Sequence, residues 1–138
     1  MPARSTLLVA FVWCLFLSGC GSKGSAKVAV TGIVYFRGQP IKGGLIVFTP
    51  DLERGSQGPL FKGVIGSDGR FTLSSEESAA VAPGWYRVSI AANGPSVPTA
   101  ENPYPGPPGK YRNPDLSGLV REVKPGSDNV FEFQLTDS

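Results

Sequence analysis

From residue 28 onward, glycine and proline interrupt the chain so often that no helical period can establish itself, and only short apolar runs survive between the breaks. The whole sequence carries Gly 18 and Pro 13 in 138 residues, a content that implies either an all-β domain with many turns or partial disorder. The surviving runs are rich in β-branched and aromatic residues, which favours strands.

Seven runs read as strands: residues 28–36, 44–49, 60–65, 71–74, 85–91, 119–123 and 130–135. In the first, Val28, Val30, Val34 and Phe36 share one face. Gly38-Gln39-Pro40 breaks the chain before the second, and Pro50 closes that second run. In the fifth, Tyr86, Val88 and Ile90 alternate with Trp85, Arg87 and Ser89. In the last, Phe131, Phe133 and Leu135 point one way and Glu132, Gln134 and Thr136 the other. Ser67-Asp68-Gly69-Arg70 between two apolar runs predicts a tight hairpin with a type I′ turn, which requires positive φ at both central residues. Asp68 alone offers far fewer than the six or more oxygens calcium takes, so the turn reading stands. The expected fold is all-β: a seven-stranded antiparallel β-sandwich, two sheets face to face, over residues 28–138. A domain of this size buries roughly 60–70% of its extended-chain surface and needs no disulfide to fold.

Residues 92–117 break this rhythm with a stretch dense in Pro, Gly and Asn. A loop so long inside a compact domain is either functional or poorly ordered. Residues 95–109 offer little apolar area and several prolines, and are expected to be mobile. Tyr111 and Leu116 are expected to fold back onto the sandwich; were the loop a binding surface, Tyr104 and Tyr111 would both stay exposed.

The first residues have a different character. Arg4 is the only early charge, eleven apolar residues follow from Leu7 to Leu17, and Ser18 and Gly19 precede Cys20. This is the order of an export signal, and the apolar run is shorter than the roughly 20 residues a membrane-spanning helix needs. Leu17-Ser18-Gly19-Cys20 resembles the lipobox of bacterial lipoproteins at all four positions. That resemblance implies cleavage before Cys20, a diacylglycerol on its sulfur and usually acylation of the freed amine. The expected organisation is therefore a signal peptide at 1–19, a lipidated cysteine with a flexible tether at 20–27, and the sandwich domain. Each buried methylene contributes about 0.8 kcal/mol, so two or more chains anchor firmly where one holds marginally. Gly21 stands where an Asp would retain a Gram-negative lipoprotein at the inner membrane, which points to the outer membrane.

Composition narrows the chemistry. The chain has 13 basic and 11 acidic residues, and Arg4 is the only charge in 1–19, so the remainder is close to neutral and gives no electrostatic case for nucleic acid. Histidine is absent, which removes the usual general base near neutral pH, the commonest transition-metal ligand and every Ser-His or Cys-His nucleophile arrangement. Cys14 would leave with the signal, so Cys20 would have no disulfide partner. Glu76-Glu77 reads as a solvated loop, and Asp115 with Lys110 or Arg112 is the best guess at polar catalysis.

The order of Gly32, Val34, Gly38, Pro40, Gly43, Val47 and Phe48 resembles the opening of carboxypeptidase regulatory-like domains, and Ser67-Asp68-Gly69-Arg70-Phe71 looks like that family's hairpin, shortened. Pro83-Gly84-Trp85-Tyr86-Arg87-Val88 resembles its Gly-x-Tyr strand, and residues 110–119 are similar to a segment recurring in exported lipoproteins that carry the domain. The resemblance implies a transthyretin-like sandwich, within the broader immunoglobulin-like class. A transthyretin-like hydrolase of 5-hydroxyisourate depends on histidines that this chain lacks.

The function expected from these readings is non-enzymatic: a membrane-anchored cell-envelope lipoprotein with a structural or binding role, without cofactor or metal. Its expected partners are the membrane, through lipid on Cys20, and a cell-surface protein or polysaccharide. The alternative is a carbohydrate-binding module at the cell surface, with Trp85, Tyr104 and Tyr111 as the aromatics that could stack on sugar rings. Trp85 is expected to pack under the long loop.

Overall fold

The computed structural model describes residues 28–94, 97, 99–101 and 106–138. The expected signal peptide, Cys20 and the tether lie outside the described residues. Among the described residues eight strands form: β1 (Val30–Phe36), β2 (Gln39–Pro40), β3 (Gly44–Pro50), β4 (Phe61–Ile65), β5 (Arg70–Thr72), β6 (Gly84–Ala92), β7 (Val120–Val123) and β8 (Asn129–Leu135). They make two sheets, so the molecule is an all-β, sandwich-like fold, and the described residues contain no helix long and apolar enough to cross a membrane. The seven expected runs all supply strands. The addition is β2, two residues that pair with Tyr35 and Phe36 where Gly38-Gln39-Pro40 was read only as a break.

One sheet is built on β1. On one side β8 pairs with it along its whole length, from Val30↔Asn129 to Phe36↔Leu135; on the other, β5 takes its first half and β2 its end. The other sheet runs β4-β3-β6-β7 and is antiparallel throughout. The expectation of a wholly antiparallel sandwich is corrected at one ladder, because β1 and β8 are parallel. The reason is topological: β7 and β8 lie in different sheets, so the turn between them carries the chain across the sandwich and β8 then rises beside β1. Asn129 holds that turn, its amide donating to the Lys124 and Ser127 carbonyls at 3.0 and 2.9 Å and its oxygen accepting from the Lys124 N–H at 2.9 Å.

The reversal at Gly66–Gly69 also differs in detail. The Gly66 N–H bonds the Arg70 carbonyl at 2.8 Å and the Gly69 N–H bonds the Gly66 carbonyl at 3.0 Å, while Gly69 alone has positive φ, +80°. This matches a three-residue loop with a left-handed last residue, and corrects the type I′ expectation. The two arms then part, since β4 stays with β3 and β5 crosses to β1.

The inward faces follow the expected alternation. Val30, Val34, Ile46, Phe48, Val88, Ile90 and Phe133 are fully or almost fully buried. Phe48 is central, with the rings of Tyr86, Phe131 and Phe133 at 5.9, 5.9 and 6.2 Å. Gly32 sits on this inward side of β1, and its missing side chain leaves room for the Phe71 ring and the Phe131 carbonyl. The end of the sandwich where β1, β6 and β8 begin and β3 and β7 finish is called the base below. Val28 is there, hydrogen-bonded to Val81 in both directions at 2.9 and 2.8 Å.

Candidate functional site at the base of the second sheet

Strand alternation turns Trp85 and Arg87 outward on β6, beside the end of β3. Just past β3, Asp51 donates its N–H to the Trp85 carbonyl at 2.9 Å, and its carboxylate caps a 3-10 turn, Leu52–Arg54, by accepting from the Glu53 N–H at 3.2 Å. Gly55 ends that turn at φ +77°, a left-handed conformation that suits glycine. Asp51 is 1% exposed.

Arg87 gathers three carboxylates. Its Nε lies 3.3 Å from Asp51 Oδ1, one terminal nitrogen donates to Asp115 at 2.7 Å, and the other to Glu53. Arg54 also donates to Asp51. Burial pushes the Asp51 carboxyl up, but the Arg54 hydrogen bond and the charges of Arg87 and Arg54 outweigh it and hold it below the ordinary carboxylate range. The hydrogen bond that Arg87 donates to Asp115, with the Asp51 and Glu53 charges, keeps Arg87 more firmly protonated than usual. Every carboxylate of the cluster is thus engaged by a guanidinium. Its chemical effect is to tie the β3–β4 connection and the 113–117 turn to β6. Among the described residues no group of three or more acidic or cysteine side chains is arranged to hold a metal ion.

Trp85 is 37% exposed, enough to present part of its ring to the exterior. Its backbone N–H donates to Ser56 Oγ at 2.7 Å and the Arg54 guanidinium lies 5.5 Å from the ring centroid, a cation–π arrangement. Both of these contacts come from the β3–β4 connection, and part of the long loop under which Trp85 was expected to pack lies outside the described residues. Leu52, in the same 3-10 turn as Arg54, is 74% exposed. A depression of about 280 Å³ beside it is lined by Thr49, Pro50, Glu53, Arg87 and Asp115 among others.

The other sequence candidates scatter. Tyr104 and Cys20 lie outside the described residues. Tyr111 is 4% exposed, so its ring offers no face for stacking; it sits in a 3-10 turn, Gly109–Arg112, and its hydroxyl accepts from the Thr136 N–H at 3.0 Å. The fold-back expected of Tyr111 is what forms. Leu116, expected to fold back with it, remains 65% exposed. Ser117 does that work instead, its hydroxyl donating to the Val88 carbonyl at 2.6 Å. The expectation of mobility over 95–109 falls in part on residues outside the description. Asp115 does not meet Lys110 or Arg112: it binds Arg87, Lys110 donates to the Ser138 carbonyl, and Arg112 donates to the Ala92 carbonyl.

Asp51, Glu53 and Arg54 were not singled out from the sequence. The signal available was Asp51 directly after a strand-closing proline and four residues before Gly55, the pattern of a capped turn. Nothing local linked them to Arg87. Comparison with protein-family models, with curated proteins and with solved structures finds no match for this chain.

Proposed function

We propose that this protein is an exported lipoprotein, held in the cell envelope by lipid on Cys20, whose transthyretin-like sandwich is a non-catalytic module with a structural or binding role. The observation that carries the reading is Leu17-Ser18-Gly19-Cys20 at the end of an eleven-residue apolar run. A base that presents Val28, the first described residue, beside the apolar side chains discussed below is consistent with a domain tethered from that end. The pairing of every carboxylate around Arg87 with a guanidinium supports a structural use of those charges.

The test is metabolic labelling with an alkynyl fatty acid. The parent chain is expected to take the label and Cys20→Ser to lose it while keeping the fold, because the thioether can form only on that sulfur. Equal labelling of the two overturns the proposal.

A further inference from the structure

We infer that the base of the second sheet is a membrane-contacting face, with Leu52 and Trp85 entering the interfacial layer of the bilayer and Arg54 at the headgroup level. The inference rests on the lipid-anchor reading above and specifies how the anchored domain stands. Three observations converge on it.

The first is location. Val28 pairs with Val81, and only three residues separate Val81 from Trp85, so the chain from Cys20 reaches the domain at the end where the exposed patch lies. The separation from Cys20 to Val28 limits that reach to about 28 Å at full extension. Lys23 and Lys27 are the only charges in that segment, and cations there are drawn to anionic headgroups.

The second is chemistry. Leu52 is 74% exposed and Trp85 37%. Tryptophan favours the membrane–water boundary because its ring is apolar and its indole N–H polar. Arg54 lies over that ring, and its aliphatic stem lets the charged end stay with phosphates while the rest packs on apolar surface. Asp51, the carboxylate that Arg54 engages, is buried beneath the turn, and the exposed carboxylate of the turn, Glu53, is paired with the Arg87 guanidinium.

The third is rigidity. Asp51 caps the turn, its N–H holds the Trp85 carbonyl, and Ser56 holds the Trp85 N–H, so Leu52, Arg54 and Trp85 form one preset surface. Two apolar side chains bind a bilayer weakly from solution. On a domain already tethered to that bilayer, the high effective concentration makes the same contact sufficient to set orientation.

Trp85 is the chain's only tryptophan besides Trp13, so a Trp13→Phe background isolates its fluorescence whether or not the leader is removed. The full chain in this background, and its Cys20→Ser and Leu52→Asp versions, would be reconstituted with phosphatidylethanolamine–phosphatidylglycerol vesicles containing lipids brominated near the headgroup. The expected result is flotation of the parent with its vesicles, loss of flotation in Cys20→Ser, and bromine quenching of parent Trp85 emission by half or more. Leu52→Asp is expected to float equally and to lose most of the quenching. Flotation that depends on Cys20 without quenching overturns the membrane-contacting face and leaves the anchor standing. Flotation unchanged in Cys20→Ser overturns the anchor and the inference resting on it. Unquenched emission that instead shifts on adding soluble cell-wall oligosaccharides assigns Trp85 to sugar and also overturns the inference.

Discussion

Asp51 is a carboxylate with 1% of its surface exposed, and it stays ionised because Arg54 and Arg87 both reach it. An acid whose folded-state pKa is depressed adds stability above its unfolded value and loses it as pH falls through the folded one. For Asp51 that window opens at the ordinary value of 3.8 and extends to more acidic pH. Asp51→Asn is therefore expected to lower the urea midpoint at pH 7, and the curves of variant and parent should converge below about pH 4. Urea titrations from pH 7 to pH 2 provide the check, and parallel curves would show that the charge of Asp51 contributes nothing. Glu53 approaches the same guanidinium with its side chain 80% exposed, where solvent screens the pair, and Glu53→Gln should leave the midpoint almost unchanged.

Among the elements, the reversal between β4 and β5 depends on Gly69. A side chain there would be held at φ +80°, with its Cβ 2.8 Å from the Val34 carbonyl oxygen and 2.9 Å from Pro40 Cβ. The left-handed conformation alone costs about 1–2 kcal/mol in a non-glycine residue, so Gly69→Val should destabilise by more than about 2 kcal/mol. Gly32→Ala on β1 has ordinary φ but no room, since its Cβ would fall 2.2 Å from the Phe131 carbonyl oxygen. Its expected cost is about 3 kcal/mol, at the upper end for overpacking. Chemical denaturation of both variants tests the turn and the β1–β8 contact separately. The segment after the long loop is governed by Tyr111. Tyr111→Phe keeps the buried ring and removes the acceptor for the Thr136 N–H, at a cost of about 1 kcal/mol. Tyr111→Ala removes the ring as well, and amides of residues 110–118 are expected to exchange at loop rates while those of β1, β3 and β8 keep most of their protection. Unchanged exchange over 110–118 would show that Ser117 and Arg112 hold the segment without the ring.

The whole molecule is closed by its most distant pairing: β1, the first strand, lies against β8, the last. Forming it requires closing a loop that spans nearly the whole domain, and such topologies fold in milliseconds to seconds. Refolding from urea should fall in that range, and Phe133→Ala, which empties a fully buried β8 site, should lower stability by about 3–5 kcal/mol. Refolding already complete within the dead time of stopped-flow mixing would contradict the β1–β8 closure as the governing step. The sequence by itself determined the class of the fold, the positions of its seven longer strands and which face turns inward in β1, β6 and β8. Side chains alternate with a period of two along any strand, so local pattern suffices. It also showed that the chain reverses tightly near Asp68-Gly69 and that Tyr111 would anchor the segment after the long loop. Only the tertiary structure decided that β8 runs parallel to β1, because the same alternation serves either direction, and that β2 forms at all. The Arg87 cluster was equally illegible. Asp51 and Asp115 stand far apart along the chain, and they meet at Arg87 only because β3 and the 113–117 turn are both packed on β6.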